Sequence, residues 1–269
     1  MTPDPDFFTY KNCRIATYQI GEGPPLLLLH GWASSAKVMM PIARQLAHLR
    51  TCHLIDLPGF GQSDEPPEAW SVNEYADMVD AFIQTLRPKP VDLLAHSYGG
   101  RITLKILADK TRKDQVGKVL ITGGAGMKPR RTFSYYIKKS VSTLLKIPAR
   151  ILPSSLRESY LRKVRSSRLW KKLGSSDYRK LSGVMRESFV LSVRDHLDSL
   201  LPSIQHEVLL LWGDRDDATP LYQGERMEKG INRSALVIME GAGHYAFLDK
   251  PKQFAAIAEA YYEPGEANG

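Results

Sequence analysis

Leu93-Leu94-Ala95-His96-Ser97-Tyr98-Gly99-Gly100-Arg101 is the stretch whose reading decides the fold. Val91 to Ala95, apolar but for Asp92, has the mark of a short buried strand, and Ile102, Ile106 and Leu107 recur behind it at helical spacing. Ser97 sits between the two patterns, with Ala95 two residues before it and Gly99 two residues after. Small side chains are required at those places in a very tight strand-to-helix turn, because larger ones collide with neighbouring backbone. Such a turn lifts the hydroxyl out of the sheet and holds it at a helix N-terminus. There the free N–H groups and the positive end of the helix dipole favour a negative neighbour. This is the pattern of a nucleophile elbow, with alanine in place of the usual first glycine. The bland alternative is a serine in an ordinary strand–helix loop, and the rest of the chain decides between them.

Working outward, Arg14–Ile20 reads as a strand and Gly21-Glu22-Gly23-Pro24 as a turn. Pro25–Leu29 is unbroken apolar sequence, as expected of a strand covered on both faces in a mainly parallel sheet. It runs into His30-Gly31-Trp32, where a backbone N–H at Trp32 can face the Ser97 turn. The pattern predicts a helix over 36–49, a strand over 52–55 and a turn-rich loop over 56–64. A helix follows over 70–86, N-capped by Ser71. After the elbow come a helix over 99–108 and a strand over 116–121. Alternation then lapses from about Ala125 to Leu201, a stretch of basic amphipathic segments broken by Pro129, Pro148, Pro153 and Gly174. It resumes with strands over 207–212 and 235–239 and helices over 221–229 and 251–262. Repeated βα alternation implies an α/β fold with a doubly wound, largely parallel sheet. Residues 1–124 and 202–269 form its core, and 125–201 is a helical insertion over the strand ends.

Open α/β sheets place their chemistry at the carboxyl ends of the strands. Serine is a weak nucleophile unaided; it needs a base, and the base needs an orienting carboxylate. Beyond the strand at 207–212 lies Gly213-Asp214-Arg215-Asp216-Asp217, three carboxylates on one loop. Beyond the strand at 235–239 lies Glu240-Gly241-Ala242-Gly243-His244, a histidine on a glycine-rich loop. The order Ser97, Asp216, His244 is the Ser…Asp…His order of one fold in particular.

The chain resembles the α/β-hydrolase family over nearly its whole length. The resemblance rests on His30-Gly31-Trp32, Asp56-Leu57-Pro58-Gly59-Phe60-Gly61, His96-Ser97-Tyr98-Gly99-Gly100, Gly213-Asp214-Arg215-Asp216 and Gly243-His244. It implies Ser97 as nucleophile, His244 as base and then acid, and Asp216 as the orienting acid, with Asp214 and Asp217 as its competitors. It also implies an oxyanion hole from the N–H groups of Trp32 and Tyr98, a cap in the basic insertion, and no cofactor or metal. His30 and Gly31 are candidates for the substrate pocket, although His30 also reads as a structural histidine holding the oxyanion loop. His96 reads as a packing residue. A serine nucleophile sets aside the dehalogenases and epoxide hydrolases of this fold, which need a carboxylate there. Carboxylic ester hydrolysis leads; thioester, acyl-carrier-bound or carbon–carbon bond substrates are alternatives. A non-catalytic binding member of the fold would carry a broken triad, and this one is complete in sequence.

Composition agrees. The chain has 269 residues, 43% hydrophobic and 25% charged, enough for a large core. No signal peptide or membrane-spanning run is visible, and Cys13 and Cys52 form no disulfide framework or metal spacing. A cytoplasmic enzyme is expected. The net charge of +8 is uneven: residues 128–200 hold 18 Lys and Arg against 5 Asp and Glu. That excess reads as a solvated face, as attraction for an anionic substrate or acidic carrier protein, or as a membrane contact. The last lacks identifiable anchoring aromatics. No nucleic-acid reading module is present. His30-Gly31-Trp32 with Asp56-Leu57-Pro58-Gly59-Phe60-Gly61 also resembles the pimeloyl-acyl-carrier methyl ester esterases, which act on an acid carrier, and keeps the second reading as an alternative.

Overall fold

The computed structural model describes residues 3–112, 114–130, 156, 159–160 and 183–263. Eight strands make one sheet: β1 (Asp6–Tyr10), β2 (Cys13–Ile20), β3 (Pro25–Leu29), β4 (Thr51–Ile55), β5 (Val91–His96), β6 (Val116–Thr122), β7 (Val208–Gly213) and β8 (Ser234–Met239). Their spatial order is β1-β2-β4-β3-β5-β6-β7-β8. β1 and β2 pair antiparallel, as do β2 and β4, and every later pairing is parallel. Helices α1 (Ala36–Leu46), α2 (Val72–Thr85), α3 (Tyr98–Ala108), α4 (Gly183–Arg194), α5 (Tyr222–Gly230), α6 (Ala246–Asp249) and α7 (Pro251–Tyr262), with short 3-10 helices at Lys110–Arg112 and Asp198–Ser203, complete the described elements.

The apolar runs become strands because both faces of the sheet are covered. In β3, Leu27 and Leu29 join a core shared with α2 and α3. Leu26 and Leu28 join a second core with α1 and α7 on the opposite face. This is the period-2 alternation of a strand, hidden in the sequence because both sides are apolar. Helix α2 starts where the sequence places it: Ser71 accepts from the Asn73 N–H, and Glu74 Oε2 accepts from the Ser71 N–H at 2.7 Å.

Two differences have local causes. β1 has no counterpart in the sequence reading; its residues are mostly exposed, and it is held as an edge strand by pairing with β2. The reversal between them passes through Lys11 and Asn12, both at positive φ. Helix α1 ends at Leu46, earlier than the apolar pattern suggests. Most of the inserted segment, including Pro148, Pro153 and Gly174, lies outside the described residues. Its last part, α4, is helical as read. Among the described residues no helix is long and apolar enough to cross a membrane.

Candidate active site

β5 is central in the sheet, and Ser97 follows its last residue with φ 51° and ψ −107°. Such a conformation is costly for a side-chain-bearing residue and persists only when its surroundings over-determine it. Here they do. The Ser97 N–H donates to Thr122 O at 3.1 Å, and its carbonyl accepts from Ala125 and Arg101. Gly99 donates to His30 O, and a Cβ at Gly99 would lie 2.6 Å from Leu29 O. The small residue at this place is therefore demanded by the neighbouring strand β3.

The loops after β7 and β8 meet beside this turn. His244 Nδ1 and Asp216 Oδ2 are 2.8 Å apart. The other Asp216 oxygen accepts from the N–H groups of Ala218 (2.9 Å) and Thr219 (2.8 Å). Thr219 Oγ1 lies 2.8 Å from Asp216 Oδ2 and 2.9 Å from Gly123 O. Burial acts to raise the Asp216 carboxyl, but the His244 and Thr219 hydrogen bonds outweigh it and hold it below the usual carboxylate range. An ionised carboxylate accepts only, so Nδ1 of His244 carries the hydrogen and Nε2 is left as the basic nitrogen. Asp214 is occupied elsewhere: its Oδ1 accepts from the Gly241 N–H at 2.6 Å. Asp217 is exposed. Of the three candidate carboxylates, geometry brings only Asp216 to the histidine.

Gly123, at φ +53°, lets the end of β6 approach this pair, since a Cβ there would lie 3.1 Å from His244 Nδ1. Gly123 and Thr219 were not singled out in the sequence. A threonine three residues after an aspartate is the local signal that could have marked the second. Among the described residues the Ser97 hydroxyl makes no hydrogen bond, so the serine–histidine link is open in this structure. Catalytic hydrogen bonds often tighten only with substrate bound. Among the described residues, too, nothing accepts from the backbone N–H groups of Trp32 and Tyr98, which leaves both as free donors beside the turn.

His30 does not present a polar atom to a pocket. It is fully buried, with Nδ1 2.7 Å from Gly31 O and Nε2 accepting from the Leu57 N–H at 2.9 Å. Burial pushes its imidazole down to about 4. It ties the β3 loop to the β4 loop, the structural role named as its alternative. Gly31 does adjoin the serine: a Cβ there would lie 3.1 Å from Ser97 Cβ. The turn-rich loop over 56–64 folds around Asp56, which accepts from Ala36 N–H, Tyr18 OH and Gln62 N–H.

The wall beside the elbow is aromatic. The Trp32 ring lies 5.0 Å from Phe60, 4.9 Å from Tyr98 and 5.3 Å from Phe189 of α4. Buried serines fasten α4 over this wall. Ser188 accepts from the Trp70 N–H, Ser192 pairs with Tyr98 OH at 2.9 Å, and Arg101 donates to the Ser192 carbonyl. Among the described residues no group of three or more potential metal ligands occurs.

A family profile described as alpha/beta hydrolase fold matches residues 24–251. An AB hydrolase superfamily protein of Bacillus subtilis, YisY, is 26% identical over 93% of this chain and 95% of its own length. A pimeloyl-[acyl-carrier protein] methyl ester esterase of Nitrosomonas europaea is 24% identical, covering 89% of this chain and 96% of the relative. Among solved structures, an esterase from Exiguobacterium antarcticum superposes with TM-score 0.72, covering 97% of this chain and all of that one at 24% identity, a likeness of fold.

Proposed function

The chain belongs to the alpha/beta hydrolase family, and from that premise we propose a serine hydrolase that cleaves carboxylic esters through an acyl-enzyme. The observation that carries this reading is the His244–Asp216 contact of 2.8 Å, set beside a serine held in a strained turn. In the proposed reaction Ser97 Oγ attacks the ester carbonyl carbon while His244 Nε2 takes its proton. The carbonyl oxygen gains negative charge and meets the N–H groups of Trp32 and Tyr98. Donors so placed are worth about 10²–10³-fold each. The tetrahedral species collapses as His244 returns the proton to the leaving alcohol oxygen. Water then attacks the acyl-enzyme while His244 takes its proton, and as the acyl–Oγ bond breaks His244 gives that proton to Ser97 Oγ and the carboxylic acid departs. Asp216 stays ionised and keeps the imidazole in the Nδ1–H form.

Ester hydrolysis is favoured because it asks nothing beyond triad and oxyanion hole, and because relatives carry esterase names. Residues 125–201 are read as a cap over the site, with α4 its described edge. A second reading gives that cap an anionic or acyl-carrier-bound substrate. It is supported by the 18 basic against 5 acidic side chains of 128–200 and by the carrier-protein ester named for one relative. Two free, buried cysteines suit a reducing, cytoplasmic setting.

The test is Ser97→Ala, assayed on nitrophenyl esters of varied chain length and charge, with organophosphonate labelling of both proteins. The variant should fold normally, lose the label and drop at least ~10³-fold in kcat, because only binding and the oxyanion donors remain. Near-parental turnover by the variant would overturn the reading.

A further inference from the structure

His96, a packing residue in the sequence reading, makes a contact that packing does not require. Its ring is fully buried, and Nε2 lies 3.0 Å from the carbonyl oxygen of His244. A carbonyl only accepts, so Nε2 carries the hydrogen and Nδ1 of the neutral ring is bare. Nδ1 is buried without a partner, facing the oxyanion loop: a Cβ at Gly31 would lie 3.1 Å from it. The ring centroid lies 4.7 Å from that of His244, 4.7 Å from Tyr245 and 5.2 Å from Phe247.

The loop that bears His244 needs an anchor. Gly241, at φ +74°, and Gly243 give it conformational freedom. Carboxylates tie both glycines: Asp214 accepts from the Gly241 N–H and Asp249 from the Gly243 N–H at 2.7 Å. Neither holds His244 itself. Among the described residues, the hydrogen bond from His96 is the one made to the main chain of His244. Asp216 holds the ring from the other end. Two anchors, one on the carbonyl and one on Nδ1, set where Nε2 points. Because His96 immediately precedes Ser97, the first anchor ties the base to the same turn that carries the nucleophile.

We infer that His96 is a positioning residue, which sets His244 relative to Ser97 by donating its Nε2–H to the His244 carbonyl. The kinetic consequence rests on the serine-hydrolase reading; the structural one does not. The titratable groups facing the ring are His244, Asp216, His30 and Tyr245. Burial and the neighbouring His244 push the His96 imidazole down to about 3, so the ring stays neutral and donating through the working range.

The test compares His96→Met with His96→Gln. The two side chains are of similar size, but only Gln carries an amide donor near the place of Nε2. Both variants and the parent would be assayed on a nitrophenyl ester, and their histidine rings observed by 1H–15N NMR. The parent should show His96 as the Nε2–H tautomer. The Met variant should lose about 10–100-fold in kcat, the scale of one lost ordering hydrogen bond. Its KM should stay within about twofold, and its His244 ring signals should broaden or move. Gln should restore both to near the parent. An Nδ1–H tautomer at His96, equal losses in Met and Gln, or a Met variant with parental kcat and His244 signals would overturn the inference. Should the parent not turn over esters, the ester reading falls, while the tautomer and the His244 signals still decide the role of His96. Should the Met variant not fold, the parental tautomer and the Gln variant decide it.

Discussion

Acidification from pH 7 to pH 5 should cost this protein a large share of its stability, for a reason visible beside the candidate active site. His30 and His96 are fully buried and neutral, and burial lowers them to about 4 and about 3. In the unfolded chain both return to about 6.5. Between pH 6.5 and the folded values the unfolded state binds protons that the native state refuses. Stability is therefore complete above pH 6.5 and is lost as pH falls toward the folded values. Linkage over pH 7 to 5 gives about 2 kcal/mol for each histidine, or about 4 kcal/mol together. His53, also lowered by burial, acts in the same direction. Asp92, raised by burial, opposes it. A typical domain has about 5–15 kcal/mol in total, so the effect is easily measured. The assay is urea unfolding at both pH values for the parent and for His30→Asn, which keeps a donor at the δ position. The variant should lose only about 2 kcal/mol between the two pH values, whatever its stability at pH 7. Parent stability changing by less than about 1 kcal/mol, or a variant with the parental pH slope, would refute the reasoning.

Two further outcomes test the site. Asp216→Asn should lose about 10³–10⁴-fold in kcat, because an amide facing Nδ1 favours the wrong imidazole tautomer. Asp217→Asn should be near parental, and Asp214→Asn intermediate because the Gly241 N–H then meets a neutral amide oxygen in place of a carboxylate; an order led by Asp214 in the same ester assay would displace Asp216 as the orienting acid. If the basic 128–200 segment attracts anionic substrates, kcat/KM for an anionic ester or acidic carrier should fall with salt, since screening acts over ~8–10 Å at physiological ionic strength. A neutral short-chain ester should barely respond, and equal salt dependence for both would reduce the charge to solubility.

What the sequence alone determined lies within short windows of chain. The apolar runs at 25–29, 93–95 and 208–212 name buried strands, because few other structures hide so many apolar side chains in so short a stretch. Ala95, Ser97 and Gly99 name a sharp turn, because its steric demand is met or failed within five residues. The chain order of Ser97, Asp216 and His244, each after a strand, then points to one fold. Tertiary structure decided what those windows cannot contain. Asp214, Asp216 and Asp217 are chemically alike and adjacent, and only the approach of the β7 and β8 loops brings one of them to His244. β1 has only a half-buried face, Phe8 and Tyr10 against the core, and is completed by its pairing with β2. The partners of Nε2 in His30 and in His96 lie 27 and 148 residues away. Hydrophobic pattern says that such a histidine is buried; which hydrogen bond accounts for its burial depends on a carbonyl or amide that only folding delivers.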